Sequence, residues 1–251
     1  MTKSILLDTN VLLAKILPND TWKMVIDEFF KDLTKLVKEQ ENLEINITSF
    51  IRKEIANKIK EITTFLNLEL RTIASGYLYS GRVINRELIM ELQGRFNAAI
   101  ISQQDEKTRE RNRRLLMEFE NHLLREVKNN PTKHLGEHLI NTLDTLNGFE
   151  VQLQNSVEQL LLAYKIKKLA FPREEQKKQR ILEIEQDLPM TNDADKKILS
   201  FFLFHLEQSN IEGVFITHDF GDFHVYASTL QAHFKLLTIL RPSYLSCFYF
   251  S

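Results

Sequence analysis

Ser4-Ile5-Leu6-Leu7-Asp8-Thr9-Asn10 opens the chain with a short apolar run that stops at an aspartate. A continuous run of this kind, without alternation, suits a strand buried on both faces of a parallel sheet. Gly213-Val214-Phe215-Ile216-Thr217 repeats the pattern near the other end, and His218-Asp219 again puts an acid just past it. Phe234-Lys235-Leu236-Leu237-Thr238-Ile239-Leu240 predicts a further strand, stopped by Arg241-Pro242. Leu43-Glu44-Ile45-Asn46-Ile47 alternates apolar and polar residues and reads as a strand as well.

Helical periodicity fills the gaps between these runs. Trp22, Val25, Ile26, Phe29, Phe30, Leu33, Leu36 and Val37 recur at three- and four-residue steps, which predicts a helix over 21–41. Thr48 or Ser49 is placed to cap a helix starting near Phe50, and another helix is expected over 195–208. Strands alternating with helices favour an α/β fold with a central parallel sheet and right-handed crossovers. The sheet strands come from both ends of the chain.

Residues 58–186 read as almost wholly helical, with breaks expected at 76–81, at Asn129-Asn130-Pro131, at Gly136, at Gly148 and at Phe171-Pro172. Seven glycines and five prolines are too few to punctuate a chain of hairpins. No repeat of fixed period is visible, so a solenoid is not expected. The expected organisation is an α/β domain from 1–57 and 187–251, carrying a large all-helical insertion at 58–186.

A hydrophobic fraction of 43% is ample for a core, and no apolar run is long enough to span a bilayer. Met1-Thr2-Lys3-Ser4 leads straight into the first strand with no leader-like apolar stretch, so the expected compartment is the cytoplasm. The single cysteine, Cys247, can form neither an internal disulfide nor a zinc cluster. His134 and His138 share helical spacing, but no Glu follows His134, so the metalloprotease pattern is missing. No glycine-rich phosphate loop occurs, against an NTPase or a dinucleotide enzyme. Asp8 also lacks the second aspartate, two residues on, of a haloacid-dehalogenase-like phosphatase. A net charge of -1 means that any nucleic-acid surface must be a local patch. Lys107, Arg109, Arg111, Arg113 and Arg114 form the densest basic stretch, and Lys165, Lys167, Lys168 and Arg173 a second. Interspersed acids make solvated helix faces the simpler reading of both.

Acidic residues stand at four strand ends or helix starts: Asp8, Glu54, the pair Asp193 and Asp195, and Asp219 with Asp222. Parallel strands put their carboxyl ends on one edge, where sites of open α/β sheets form. Carboxylates gathered there would repel one another and take up protons unless a cation joins them. Oxygen-only ligands suit Mg²⁺ or Mn²⁺. Two such ions about 4 Å apart can activate a water and stabilise the leaving oxygen of a phosphoryl displacement. Each acid also has an ordinary structural reading. Asp8, Asp193 or Asp195 can cap a helix, Glu54 can be a solvated helix residue, and Asp219 and Asp222 can form a turn.

In order and local sequence these segments resemble the PIN-domain nucleases. Ile5-Leu6-Leu7-Asp8-Thr9-Asn10-Val11-Leu12-Leu13 is similar to that family's opening strand and first metal-binding aspartate. Ile47-Thr48-Ser49-Phe50-Ile51-Arg52-Lys53-Glu54 is similar to its second acidic segment, and Asn192-Asp193-Ala194-Asp195-Lys196-Lys197-Ile198 to its third. Ile198, three residues after Asp195, favours Asp195 over Asp193. Thr217-His218-Asp219 with Gly221-Asp222-Phe223 resembles the last motif, and Leu240-Arg241-Pro242 the closing strand and turn. The resemblance covers 4–57 and 187–245, and the long stretch between Glu54 and Asp195 departs from it.

What the resemblance implies is a PIN-like three-layer domain with a metal site at Asp8, Glu54, Asp195 and Asp219, holding Mg²⁺ or Mn²⁺. Asp8 would be the central ligand, and Glu54 would position or deprotonate the attacking water. Asp193 and Asp222 are spare carboxylates at the same site, while Thr9, Asn10 and Thr217 would orient the ligands. Lys196, Lys197 and His218 are placed to meet substrate, and Phe223 to pack in the core. The implied activity is phosphodiester hydrolysis by an endoribonuclease, with RNA ahead of DNA, in a toxin, phage-defence or RNA-processing setting. The alternatives are a structure-specific DNA nuclease with the same site and a catalytically inactive binding or scaffolding module. An inhibitory protein partner, self-association through the insertion and no membrane contact complete the expectation.

Overall fold

Ile5, Leu6 and Leu7 have no exposed surface, which places their strand, β1 (Lys3–Leu7), at the centre of a sheet covered on both faces. The computed structural model describes residues 3–18, 20–40, 42–77, 84–101 and 106–245, without the side chains of 100, 106–109, 220 and 222. Cys247, Gly81 and the side chains of Lys107, Arg109 and Asp222 therefore lie outside the described residues.

After β1 come α1 (Thr9–Ile16), α2 (Lys23–Glu39), β2 (Leu43–Thr48) and α3 (Ser49–Ser75). Then follow α4 (Arg86–Ile101), α5 (Glu106–Asn129), α6 (Leu135–Ala163), β3 (Lys167–Leu169) and α7 (Glu175–Asp187). The chain closes with α8 (Asp193–Ser209), β4 (Glu212–Ile216), a π-helical turn at Phe220–His224, α9 (Ala227–His233), β5 (Leu237–Leu240) and a 3-10 turn at Pro242–Tyr244. Among the described residues, no helix is long and apolar enough to cross a membrane.

The described strands form one sheet in the order β3-β2-β1-β4-β5, with every pairing parallel. The fold is thus α/β around a five-stranded parallel sheet, and most of the remaining chain is helical. Helix α2 buries Ile26, Phe29, Phe30, Leu33 and Leu36, the three- and four-residue stripe that the sequence carries. Helix α8 buries an unbroken run from Ile198 to Phe204, so it is covered on several sides. It approaches β4 closely at Gly213, where an added Cβ would lie 2.5 Å from Leu206 and 2.8 Å from Phe202. A side chain at this position would have to displace the ends of those two side chains.

Contacts divide the chain into two compact units. The first comprises Met1–Leu17, Trp22–Ala56 and Ser156–Ser251 and contains the whole sheet; the second comprises Pro18–Thr21 and Asn57–Asn155. The second unit has its own core, including Ile62, Leu66, Phe96, Leu116, Leu123 and Leu146. On its surface Arg113 and Arg114 pair with Glu110 at 3.8 and 2.8 Å, as charges on a solvated helix do.

Three expectations differ from the structure. Residues 156–186, read as part of an all-helical stretch, lie in the first unit and contain β3. That strand is three residues long, and its two lysines are exposed at the sheet edge. Such charge blunts an edge against further pairing and erases the apolar signal of a strand. The break expected at Gly148 does not occur, because α6 runs through it, whereas Gly136 stands in the first turn of α6 just after the break that follows Asn129; an isolated glycine weakens a helix without ending it. The last strand is shorter than predicted, since Phe234 closes α9 through its N–H to the Leu230 carbonyl.

Candidate active site at the carboxyl edge of the sheet

From β1 the chain steps outward through β2 to β3 on one side, then returns to lay β4 and β5 on the other. The strand order therefore reverses between β1 and β4, and a crevice opens beyond the carboxyl ends of strands at such a switch point. Leu7 pairs with Ile216 at the ends of these two strands, and the Asp8 N–H donates to the Ile216 carbonyl at 3.0 Å. This register brings Asp8 and the Thr217-His218-Asp219 segment together.

Asp8 is the N-cap of α1, with extended backbone angles, and is 3% exposed. Its Oδ1 accepts from the Thr9 N–H at 2.7 Å, and its Oδ2 accepts from the Thr217 hydroxyl at 2.6 Å across 209 residues of sequence. The Asn10 amide reaches Oδ2 only at the 3.5 Å limit, and Asn10 itself is exposed. Burial pushes the Asp8 carboxyl up to about 7, opposed by the Thr217 hydrogen bond and reinforced by the charge of Glu54. The Thr9 N–H opposes it further, and Asp219 adds to it.

Glu54 enters from the first turns of α3, whose start is secured by the Thr48 hydroxyl accepting from the Ile51 N–H at 3.2 Å. Thr9 is buried, and its hydroxyl donates to Glu54 Oε2 at 2.6 Å. Asp219 is half-buried; its N–H donates to the Thr217 hydroxyl oxygen at 2.9 Å, while its Oδ1 accepts from the Gly221 N–H at 2.9 Å. Thr9 thus joins the Glu54 and Asp8 carboxylates, and Thr217 joins the Asp8 carboxylate to the backbone of Asp219. The π-helical turn that follows seats Phe223, which is buried and meets Phe215 edge-on at 4.6 Å, the core role expected of it.

Asp195 and Asp193 lie in the first turn of α8, half-buried and exposed respectively. Asn192, not either aspartate, caps that helix, its side chain accepting from the Ala194 N–H at 2.9 Å. Lys196 is half-buried and Lys197 exposed on the same turn. His218 is half-buried and stacks on Trp22, with ring centroids 4.7 Å apart and planes 25° from parallel. Burial above all, together with the nearby charges of His224 and Arg241, lowers the His218 imidazole to about 4. Its Nε2 is buried without a hydrogen-bond partner.

Sequence reasoning missed two neighbours of this edge. Trp22 reads by periodicity as part of the buried stripe of a helix, yet α2 begins one residue later and Trp22 is 44% exposed. Arg241 reads as a strand terminator, and the structure brings it near enough to His218 to act on its charge. Neither carries a local signal, because both depend on where the first turn of α2 and the end of β5 meet the segment after β4.

The carboxylates of Asp8, Glu54 and Asp219 would offer oxygen ligands, which suit hard divalent cations better than zinc. Among the described residues, no three His, Cys, Asp or Glu side chains converge into a ready-made metal cage. Mg²⁺ does not need one, since it keeps several waters and binds through one or two carboxylates together with substrate phosphate. A carboxylate pushed up chiefly by burial, and further by its acidic neighbours, is also a group that a cation would return to its charged form. Comparison with protein families, curated proteins and solved structures finds no match for this chain. Its own residues carry the functional reading.

Proposed function

We propose that this chain is a divalent-metal-dependent nuclease of PIN-like architecture that hydrolyses phosphodiester bonds, with RNA as the preferred substrate. The observation that carries the reading is the linked group Asp8, Glu54 and Asp219 at the β1–β4 switch point. A buried Asp8 carboxylate that feels the charges of both Glu54 and Asp219 is unfavourable for folding alone. It is favourable where a cation and a phosphate meet.

Asp8 and Asp219 would hold Mg²⁺ or Mn²⁺, with Asp195 approaching from the first turn of α8. The bound ion would supply charge neutralisation of the phosphate and acidification of a water. Thr217 holds the Asp8 carboxylate through Oδ2 and the Asp219 backbone through its N–H, so both acids keep one orientation. Glu54 uses Oε2 to hold the Thr9 hydroxyl, leaving Oε1 to take a proton from the attacking water. Lys196 and Lys197 stand beside Asp195 to meet the scissile phosphate.

The site chemistry fits RNA and DNA alike, and the comparison of the two belongs in the first assay. A second reading, an inactive binding module of the same fold, draws on Asp8 capping α1 with satisfied hydrogen bonds. The test is a cleavage time course on single-stranded RNA and DNA with Mn²⁺ or EDTA, for the wild type and Asp8→Asn. Metal-dependent cutting lost in the variant supports the nuclease. No cutting, together with no Mn²⁺ binding by calorimetry, establishes the inactive module instead.

A further inference from the structure

Trp22 is the one tryptophan of the chain and stands at the N-cap position of α2, where it makes no side-chain capping bond. It is stacked on His218, which lies between Thr217 and Asp219 in the sequence, and the indole is still 44% exposed. A single exposed aromatic is ordinary on a protein surface. This one is held against the segment that carries Thr217 and Asp219, with Arg241 close enough to His218 to bear on its charge.

Carboxylates at the edge repel a polyanion, and a net charge of -1 supplies no long-range attraction. A single strand must then be held through its neutral parts as well as its phosphates. Every base has a π-face, and stacking on an aromatic ring is how sequence-tolerant single-strand sites obtain much of their grip. A duplex hides those faces, so such a contact also selects unpaired nucleic acid.

We propose that the Trp22 indole, backed by His218, is a stacking platform for one base of a single-stranded nucleic acid, with the adjoining phosphate directed toward Asp8 and Asp219. The inference rests on the nuclease reading for what happens to that phosphate, and not for the stacking itself. Trp22 is here a positioning residue: it orders the strand and leaves the chemical step to the carboxylates. If the pair only fastened the start of α2 to the loop after β4, Trp22 would matter for stability and be indifferent to bases.

The sole tryptophan makes the contact directly visible by its emission. The wild-type protein in EDTA is titrated with a short single-stranded RNA and with an abasic ribose-phosphate strand of equal length. The expected result is saturable loss of Trp22 emission with the base-bearing strand and none with the abasic strand. By anisotropy, Trp22→Ala should bind the RNA roughly 5- to 150-fold more weakly, and Trp22→Phe should recover most of that loss. In cleavage assays the loss should fall on KM rather than on kcat. Equal quenching by both strands, no quenching at saturating RNA, or Phe no better than Ala overturns the platform. Base-dependent quenching without metal-dependent cleavage sinks the nuclease reading alone. Cleavage without base-dependent quenching sinks the platform alone, and the absence of both sinks both.

Discussion

Asp8→Asn should raise the stability of the protein above neutral pH and lower it slightly in strong acid. In the folded chain the Asp8 carboxyl is raised from 3.8 to about 7, with burial as the leading cause and Glu54 and Asp219 adding to it. The folded state therefore binds this proton more tightly than the unfolded chain does. The contribution is fully present below 3.8 and is lost as pH rises through about 7. At 1.36 kcal/mol per pH unit the full difference is on the order of 4 kcal/mol, of which roughly 3 falls between about pH 5 and pH 8.5. Asparagine keeps one carbonyl oxygen to accept from Thr9 N–H or the Thr217 hydroxyl, and the weakened partner costs about 1 kcal/mol at every pH. The assay is urea denaturation of both proteins at the two pH values, without divalent metal. The wild type should lose about 3 kcal/mol relative to the variant between them. Parallel behaviour, with a double difference under about 1 kcal/mol, would refute the buried, acid-crowded environment assigned to Asp8.

Thr9→Val and Thr217→Val keep the side-chain shape and remove the hydroxyls that hold Glu54 at 2.6 Å and Asp8 at 2.6 Å. Each should lower Mn²⁺ affinity or cleavage rate about 10- to 100-fold, read by calorimetry and gel assay. Thr217→Val should be the more destabilising, by roughly 1–3 kcal/mol in urea, because it orphans the Asp219 N–H as well. Gly213→Ala places a Cβ 2.5 Å from Leu206 and should cost about 1–3 kcal/mol by displacing α8 from β4, with a matching drop in thermal midpoint.

That acids stand at strand ends and helix starts was legible because those elements announce themselves locally. β1, β2 and β4 appear as apolar or alternating runs, and α2 as a three- and four-residue stripe. At α8 the sequence favoured Asp195 over Asp193; both stand in the first turn, and the side chain that caps the helix belongs to Asn192. β3 escaped because an edge strand of three residues with exposed lysines has no apolar signature. Trp22 was misread because periodicity records spacing along a helix and not where the helix begins.

The sequence by itself determined β1, β2, β4, the apolar stripe of α2 and the acids that stand at strand ends and helix starts, since each depends on neighbours within a turn or a pleat. Only the tertiary structure decided that β1 lies beside β4, that one hydroxyl spans 209 residues to hold Asp8, and that Trp22 stacks on His218. Those contacts join segments distant in the chain, and closing such loops costs entropy that only burial of the whole sheet offsets. The raised Asp8 carboxyl belongs to the same class: desolvation is a property of what surrounds a residue in space.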